Sequence, residues 1–391
     1  MKKICVVTAT RAEYGLLKNL LYTIEADNDL ELVLVVTGTH LSKSFGYTVK
    51  EIKNDGFKIS RKIDILLDSD SPAGIAKTMG IASMSFADFF ADNHPDILVV
   101  LGDRYELLPI CSTAMSFNIP IAHISGGETT EGAIDEAIRH CITKLSYLHF
   151  PTCDTYRNRI IQLGENPEKV FNFGSLGVEN IHRLKAIPFD ELNSLMNNFL
   201  SCPYIVVTFH PETLSEGNVT DQLNELLSAI SNFPDMKFVF TKSNADAGGK
   251  TINLMIEEYV GTHNNSILVD SLGSTKYLSL LSYSAGVLGN SSSGILEAPS
   301  FKIPTINIGD RQKGRIAAKS VISCPLNSAA ITDSLRFVLS QDFRKELLDV
   351  VNPYEGKDTA FKIVKTIKSI LQKDNIDLKK AFFDLPIIYG E

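Results

Sequence analysis

The sequence contains no long hydrophobic run. No stretch approaches the roughly 18 consecutive apolar residues that a membrane-spanning helix requires, so any membrane role would be peripheral. The apolar run near the N-terminus, MKKICVVTATRAEYG, is interrupted at Arg11 and Glu13 and lacks a small-residue cleavage pattern. We therefore interpret it as a first β-strand rather than a signal peptide, and we expect a cytoplasmic protein.

Paired cysteines are absent as well. None of the six cysteines forms a CxxC pair, which argues against a zinc site and against a disulfide framework. The pattern is typical of reduced, buried thiols in a cytoplasmic protein. The six residues are Cys5, Cys111, Cys141, Cys153, Cys202 and Cys324.

The sequence has no block of Lys or Arg and neither of two common nucleotide motifs. Its 38 basic and 46 acidic side chains give a formal net charge of −8, which argues against a nucleic-acid partner. The absence of GxxxxGK[ST] and GxGxxG argues against an NTPase and against a dinucleotide-dependent oxidoreductase. We interpret any bound nucleotide as part of a substrate, held locally by a few placed groups.

The composition that remains is that of a folded two-domain protein. A chain of 391 residues with 44% hydrophobic side chains fits two domains of about 150 to 200 residues each. Short Val/Ile/Leu-rich runs alternate with helical stretches in both halves, as expected for buried parallel strands in βα units. We predict an α/β fold with two doubly wound, Rossmann-like domains facing a central cleft, divided into 1–185, 186–360 and a C-terminal segment 361–391. Apolar spacing from Asp358 to Gln372 predicts a final amphipathic helix that packs on either domain.

A small-residue loop, GNSSSG at 289–294, is the clearest signal for a phosphate. It follows an apolar run and precedes a helical turn, so its backbone N–H groups, Ser291 and Ser292 could bind an anion. The alternative is that the serines only cap a helix. Glu297, one turn further on, could accept the hydroxyls of a ribose, or it could be a solvated surface acid.

Arginines near predicted strand ends supply the matching positive charge. Arg311 and Arg315 lie in NIGDRQKGR after one strand, and Arg11 follows the first strand of the other domain. Because guanidinium groups bind phosphate oxygens in pairs, these residues could neutralise a diphosphate in the cleft.

Acids and bases follow two further predicted strands. Asp103 and Arg104 come directly after ILVV, and ligands of open α/β sheets bind at such strand ends. Asp135 and Arg139 lie four residues apart and would share one face of a helix, unless they form only a surface ion pair. His210 ends the run VVTF, where a site role is favoured, whereas a lone strand histidine such as His123 is usually structural.

Together these motifs resemble one family. TRAEYG, LGDRYE, HISGGE with IDEAIRH, TFHPET, SNADAG, GNSSSG and GDRQKGR occur in the order found in hydrolysing UDP-N-acetylglucosamine 2-epimerases. The resemblance implies the GT-B arrangement, with the sugar and the chemistry in 1–185 and UDP in 186–360. It implies elimination of UDP to a 2-acetamidoglucal and addition of water to give N-acetylmannosamine for sialic acid synthesis. It also implies no cofactor, no essential metal, and a homo-oligomer (dimer or tetramer).

The resemblance also implies roles for individual residues. Asp103 and Asp135 match catalytic carboxylates, and His210 matches a histidine near the diphosphate. Arg104 and Arg139 match arginines of the sugar site. The matching UDP contacts are Arg11, Asn244, Ser291, Ser292, Glu297 and Arg311.

The chain departs from the family at one catalytic position. Several members have HIEGGE where this chain has HISGGE, so Ser125 replaces a glutamate and cannot act as a carboxylate base. Either Glu128 or Glu131 takes over, or Asp103 and Asp135 suffice, or the substrate differs. A related branch acts on UDP-N,N′-diacetylbacillosamine in legionaminic acid synthesis. Three competing functions are a GT-B glycosyltransferase, which needs an acceptor, a non-hydrolysing epimerase, and a non-catalytic UDP-sugar sensor.

Overall fold

A computed structural model describes residues 1–67, 69, 71–131, 133–200, 203–211, 218–243, 248–269, 272–373 and 376–386. The chain forms two compact units. Unit 1 comprises Met1–Glu128, Asp135–Glu179 and Tyr354–Glu391, and unit 2 comprises Thr129–Ile134 and Asn180–Pro353. The predicted functional division at 185/186 and 360/361 stays a prediction. Within the described residues, no helix is both long enough and apolar enough to cross a membrane.

Unit 1 contains a six-stranded parallel sheet in the order β3-β2-β1-β4-β5-β6. Both faces of the sheet are covered, because Ile4 and Val6 of the first strand belong to one apolar core and Cys5 and Val7 to another. The strands are β1 Lys2–Thr8, β2 Leu30–Thr37, β3 Ile59–Ile63, β4 Ile97–Leu101, β5 Ile121–Ile124 and β6 Leu148–Phe150. The helices are α1 Arg11–Glu25, α2 Val49–Asn54, α3 Pro72–Asn93, α4 Leu107–Ser116, α5 Asp135–Leu145, α6 Asp154–Gln162 and α7 Leu176–His182, within which the chain leaves unit 1.

Unit 2 repeats this architecture with a sheet in the order β12-β11-β10-β7-β8-β9. Ile205 and Val207 of its first strand face one core, and Val206 faces the other. The strands are β7 Tyr204–Thr208, β8 Lys237–Thr241, β9 Ser266–Val269, β10 Gly286–Gly289, β11 Thr305–Ile308 and β12 Val321–Cys324. The helices are α8 Phe189–Leu195, α9 Val219–Ile230, α10 Gly249–Thr262, α11 Gly273–Tyr283, α12 Ser293–Leu296, α13 Ser328–Val338 and α14 Gln341–Glu346.

The final helix, α15 Thr359–Leu371, belongs to unit 1. Its apolar stripe, which includes Ile363 and Ile367, enters the same core as Leu17 of α1. Two parallel sheets, each covered on both faces, confirm the predicted α/β class with two Rossmann-like domains.

Candidate functional site

The ends of β4 and β5 in unit 1 are held together by a buried histidine. His123 Nε2–H donates to the backbone oxygen of Gly102 (2.8 Å), and His123 Nδ1 therefore accepts from Thr143 Oγ1 (3.2 Å). Burial lowers the pKa of His123 to about 3, so the ring is neutral. His123 is structural, and it fixes the turn that presents Asp103.

Arg139 joins the two strand ends to helix α5. Its guanidinium is 1% exposed, donates to the backbone oxygen of Glu128 (2.9 Å) and pairs with the carboxylates of Asp103 and Glu136, the latter at 3.1 Å. The structure thus brings three predicted site residues together, since Arg139 is hydrogen-bonded both to the Asp103 carboxylate and to the Glu128 backbone. Asp135 begins α5, one turn before Arg139.

The position of Ser125 has an unusual backbone. Its φ of +63° is in the left-handed region, and its N–H donates to the backbone oxygen of Phe150 (3.0 Å). Glu128, three residues on, is buried, and its Oε1 accepts from Thr152 Oγ1 (3.1 Å). Glu131 is exposed and belongs to unit 2, where its N–H donates to the backbone oxygen of Lys313 (3.3 Å). Of the two glutamates considered as replacements, Glu128 therefore lies beside Asp103's partner Arg139.

Arg104 is fixed among acidic groups near the end of β4. Its Nε lies 3.4 Å from Oε2 of the fully buried Glu106, and its guanidinium lies 5.2 Å from the centre of the Tyr105 ring.

Glu13, at the start of α1, accepts from the backbone N–H groups of Ala9 (2.7 Å) and Thr10 (3.1 Å). Burial, together with the charge of Glu106, raises the pKa of Glu13 to about 7. Arg11 is the first residue of the same helix.

In unit 2, His210 follows β7 and is buried. The backbone N–H of His210 donates to Oδ1 of Asn290 (2.7 Å), and Nδ2 of Asn290 donates to the backbone oxygen of His210 (2.8 Å). His210 Nδ1 is hydrogen-bonded to Ser243 Oγ (3.1 Å). The backbone oxygen of Asn290 in turn accepts from Arg311 Nη1 (3.1 Å) and Gln312 Nε2 (2.8 Å). Two predicted site residues, His210 and Arg311, are thus linked through Asn290.

The serine loop begins at Gly289, whose φ of +135° and close approach to the Thr208 backbone oxygen exclude a side chain. Within the described part of the chain, Ser292 precedes α12 without a side-chain capping bond. Ser293 Oγ donates to the Glu297 carboxylate and accepts from Tyr277 O–H (2.8 Å). Burial raises the pKa of Glu297, and the Ser293 bond opposes that shift. Glu297 is therefore a half-buried acid held by the loop, rather than a solvated one.

The sequence also suggests Asn244 and Arg315 as site residues. Asn244 lies outside the described residues, as does part of the motif TFHPET. Arg315 is half-buried one turn after Arg311, next to Gly314. In the described ranges, no group of three or more His, Cys, Asp or Glu side chains is placed to hold a metal ion.

Of four residues that organise the site, the sequence singles out only His123. The sequence indicates a structural role for His123 but no partner, and Asn290 and Gln312 occur only as letters of longer motifs. Thr152, which bonds Glu128, carries no signal. The available clue for Asn290 is a polar side chain directly after a buried strand, flanked by Gly289 and serines.

The chain is similar to known proteins over nearly its whole length. The sequence profile of the UDP-N-acetylglucosamine 2-epimerase family matches residues 22–368. The GDP/UDP-N,N′-diacetylbacillosamine 2-epimerase (hydrolyzing) of Campylobacter jejuni is 42% identical over 98% of this chain and 99% of its own length. The polysialic acid biosynthesis protein P7 of Escherichia coli is also 42% identical, over 99% of this chain and 98% of its own.

Among solved structures, the UDP-GlcNAc 2-epimerase from Neisseria meningitidis bound to UDP-GlcNAc has a TM-score of 0.80. It is 17% identical, and the match covers 94% of this chain and 100% of that one. At this identity the likeness shows the fold, and it agrees with the two Rossmann-like sheets described above.

Proposed function

The chain belongs to the UDP-N-acetylglucosamine 2-epimerase family, as its motifs predicted, and we propose that it hydrolyses UDP-N-acetylglucosamine to UDP and N-acetylmannosamine. The observation that carries the proposal is the hydrogen-bonded group at the strand ends of unit 1, in which Arg139 pairs with the Asp103 carboxylate and donates to the backbone oxygen of Glu128. The Glu128 carboxylate is held separately by Thr152. Carboxylates fixed in position can transfer protons at a small substrate. A binding-only protein has no need for such a group.

The proposed reaction has two stages. In the first, the bond between C1 and the UDP oxygen breaks while a base removes the proton from C2, which gives a 2-acetamidoglucal. In the second, hydroxide from water is added to C1 and a proton to the opposite face of C2, which gives the 2-epimer as a free sugar. The C2 proton becomes acidic only as positive charge develops at C1, so proton removal and departure of the diphosphate are coupled.

We assign the proton transfers to Asp103 and Asp135. Arg139 supports this assignment, because its buried guanidinium fixes the direction of the Asp103 carboxylate. Glu128 is the proposed substitute for the family glutamate, since it is buried beside the same arginine. Arg104, fixed by Glu106, is the proposed sugar contact.

We assign the diphosphate to Arg11, His210 and Arg311, which would stabilise the negative charge of the leaving group. Ser291 and Ser292 are proposed phosphate contacts, and Asn244 a further UDP contact. Glu297 is the proposed ribose contact. Ser293 supports this role, because its hydroxyl orients the carboxylate of Glu297.

A second candidate substrate is UDP-N,N′-diacetylbacillosamine. The relative from Campylobacter jejuni is named for this sugar, and it is as similar to the chain as the Escherichia coli protein named for polysialic acid biosynthesis. Several family members have glutamate where this chain has Ser125. We propose that serine at this position marks a preference for the second substrate. We therefore keep a role in legionaminic acid synthesis beside the role in sialic acid synthesis.

We further propose a cytoplasmic homo-oligomer, a dimer or tetramer. The support is the family resemblance together with free thiols such as the buried Cys5 and Cys111, which are typical of a reducing compartment. Light scattering of the purified protein measures the oligomeric state directly.

The decisive experiment measures UDP release and identifies the sugar by NMR, with the two UDP-sugars supplied side by side and no acceptor. Release of UDP and N-acetylmannosamine supports the main proposal, and faster turnover of the bacillosamine substrate selects the second candidate. Recovery of an epimerised UDP-sugar would indicate a non-hydrolysing enzyme. Tight UDP binding with no release from either substrate would contradict both candidates and favour a glycosyltransferase or a sensor.

A further inference from the structure

Asn290 stands at the centre of the carboxyl edge of the unit 2 sheet. It directly follows β10, whose neighbours in the sheet are β7 on one side and β11 on the other. The side chain is fully buried, and its amide makes two hydrogen bonds to the backbone of His210, which follows β7. An amide is the neutral side chain that supplies both a donor and an acceptor for such a pair.

The same residue also holds the loop on its other side. Its backbone oxygen accepts from Arg311 and from Gln312, both of which follow β11. Beyond His210 the network continues to Ser243, whose N–H donates to Oδ1 of Asn253 in α10 (2.7 Å). The loops after four neighbouring strands, β11, β10, β7 and β8, are therefore connected by hydrogen bonds, the first three directly through Asn290 and the fourth through His210.

We propose that Asn290 is a positioning residue that fixes His210 and Arg311 relative to each other, so that both reach one diphosphate. The inference rests on the proposed function, because it assigns those two residues to the leaving group. Asn290 itself need not touch the substrate. Its effect follows from geometry, since the strands of a twisted sheet diverge and loops at their ends require a common anchor.

The main test is Asn290→Ala, with UDP affinity measured by calorimetry and kcat and KM by UDP release. The change removes both bonds to the His210 backbone and leaves that buried N–H and oxygen without their side-chain partner. We expect UDP affinity to fall about 10- to 100-fold. We also expect kcat to fall, because His210 loses its fixed position during departure of the diphosphate.

The matched control is Asn265→Ala. Asn265 lies before β9, at the amino end of the same sheet, and its amide also donates to two backbone oxygens, those of Met236 (3.1 Å) and Phe233 (3.4 Å). The Asn265→Ala variant should lower the melting temperature without changing UDP affinity or kcat. If both variants lose stability and neither loses UDP affinity, Asn290 is only a structural residue and the inference is wrong.

A double variant separates positioning from a direct contact. If Asn290 acts through His210, Asn290→Ala should weaken UDP binding and lower kcat much less in a His210→Ala background than in the wild-type protein. Fully additive losses would overturn the inference. If Asn290→Ala does not fold, Asn290→Asp is the variant to test. The aspartate can still accept from the backbone N–H of His210, but it has no N–H to donate to the backbone oxygen of His210. The inference requires that Asn290→Asp binds UDP more weakly than Asn265→Asp does.

The inference and the proposed function fail in different ways. A wild-type protein that neither binds nor releases UDP contradicts the proposed function. A wild-type protein that hydrolyses the substrate, alongside an Asn290→Ala variant with unchanged UDP affinity and kcat, contradicts only the inference.

Discussion

Arg139 shows how one side chain can organise a site without reaching solvent. A buried guanidinium needs acceptors for its donors, and here the acceptors are the Asp103 and Glu136 carboxylates and a backbone oxygen. Because those acceptors belong to the ends of two strands and to α5, the arginine fixes three elements at once. Lysine could not replace it, since a single ammonium lacks the planar fork.

At Asp103 we predict that replacement by asparagine abolishes turnover and leaves UDP binding intact. Asparagine keeps the size of the side chain but cannot transfer a proton, so kcat should fall by about 100-fold or more. UDP affinity should stay within about threefold of wild type, a difference of less than about 1 kcal/mol. Asp135→Asn should behave in the same way. Stopped assays for UDP release and calorimetry with UDP provide the two measurements.

The control for Asp103→Asn is Asp96→Asn. Asp96 lies just before β4, at the opposite end of that strand from Asp103. Its carboxylate accepts from the ammonium group of Lys2 (3.2 Å) and from the backbone N–H of Lys3 (2.7 Å). Its variant should keep full turnover. Loss of UDP affinity in both Asp103→Asn and Asp135→Asn would show that the division between sugar and UDP contacts is wrong.

Glu13 gives a prediction about pH. Its pKa is raised from 4.5 to about 7 in the folded protein, so the folded state holds the proton more tightly than the unfolded state. The stability from this group is fully present below pH 4.5 and is lost as the pH rises to about 7. Glu13→Gln cannot ionise, and at pH 8 it should be more stable than wild type by roughly 1 to 3 kcal/mol.

Urea unfolding between pH 5 and pH 8 measures this effect. The advantage of Glu13→Gln should be small at pH 5 and should grow to its full size by pH 8. Glu25→Gln, at an exposed position of the same helix, is the control. An advantage for Glu13→Gln that does not change with pH would mean that ionisation of Glu13 is not its cause.

At the scale of elements, α5 is held at both ends. Its first turns carry Asp135 and Arg139, and Lys380 from the C-terminal segment is hydrogen-bonded to the backbone at its carboxyl end. Lys380 Nζ donates to the backbone oxygens of Lys144 (2.8 Å) and Ser146 (2.7 Å). A positive charge at this end also complements the helix dipole.

The same ammonium pairs with Glu165, which is almost fully buried. The Glu165 carboxylate lies 2.7 Å from Lys380, 2.6 Å from Lys144 and 3.0 Å from His149 Nε2. Burial alone would raise the pKa of Glu165, but these bonds outweigh it and lower the pKa to about 2. The segment is therefore attached by a network in which each charge has a partner.

We predict that Lys380→Ala lowers the free energy of unfolding by about 1 to 2 kcal/mol, because it leaves Glu165 and the backbone oxygens of Lys144 and Ser146 short of a donor. Thermal unfolding measures the change. Lys379→Ala, at the adjacent exposed position, should leave the melting temperature unchanged. Equal losses in the two variants would mean that general exposure of the segment, rather than the network, determines its contribution.

Burial explains which elements the sequence predicts. Strands buried on both faces, such as β1 and β7, appear as unbroken apolar runs. The edge strands β3 and β12 are not evident because their exposed positions are polar or mixed, as in ISRKI. Site residues at strand ends can be predicted because the apolar runs that precede them can be recognised. The role of Asn290 cannot be predicted, because its partner His210 is 80 positions away and meets it only through sheet register.

At the scale of the whole molecule, each unit has its own apolar cores, and the proposed contacts to the ribose and phosphates of UDP lie mostly in unit 2. UDP that binds only the folded protein should therefore raise the melting temperature. At about 100 times its Kd, it should stabilise by about 2.7 kcal/mol. Uridine lacks the diphosphate and should stabilise much less at the same concentration, because Arg311 and His210 would have no charge to bind.

Thermal unfolding with UDP, with uridine and with neither measures this difference. Arg311→Ala should reduce the shift caused by UDP and leave the shift caused by uridine unchanged. Equal shifts from UDP and uridine would place the binding energy in the base and ribose rather than in the diphosphate.

The path of the chain through the two units has a consequence for biosynthesis. Unit 1 is completed by Tyr354–Glu391, whereas the residues of unit 2 all precede that segment. On the ribosome, where the N-terminal part emerges first, unit 2 can finish folding while Leu17 and its neighbours on α1 still lack the cover of α15. A stop codon introduced just after residue 353 would therefore spare unit 2 and leave unit 1 with an open apolar face for chaperones to recognise.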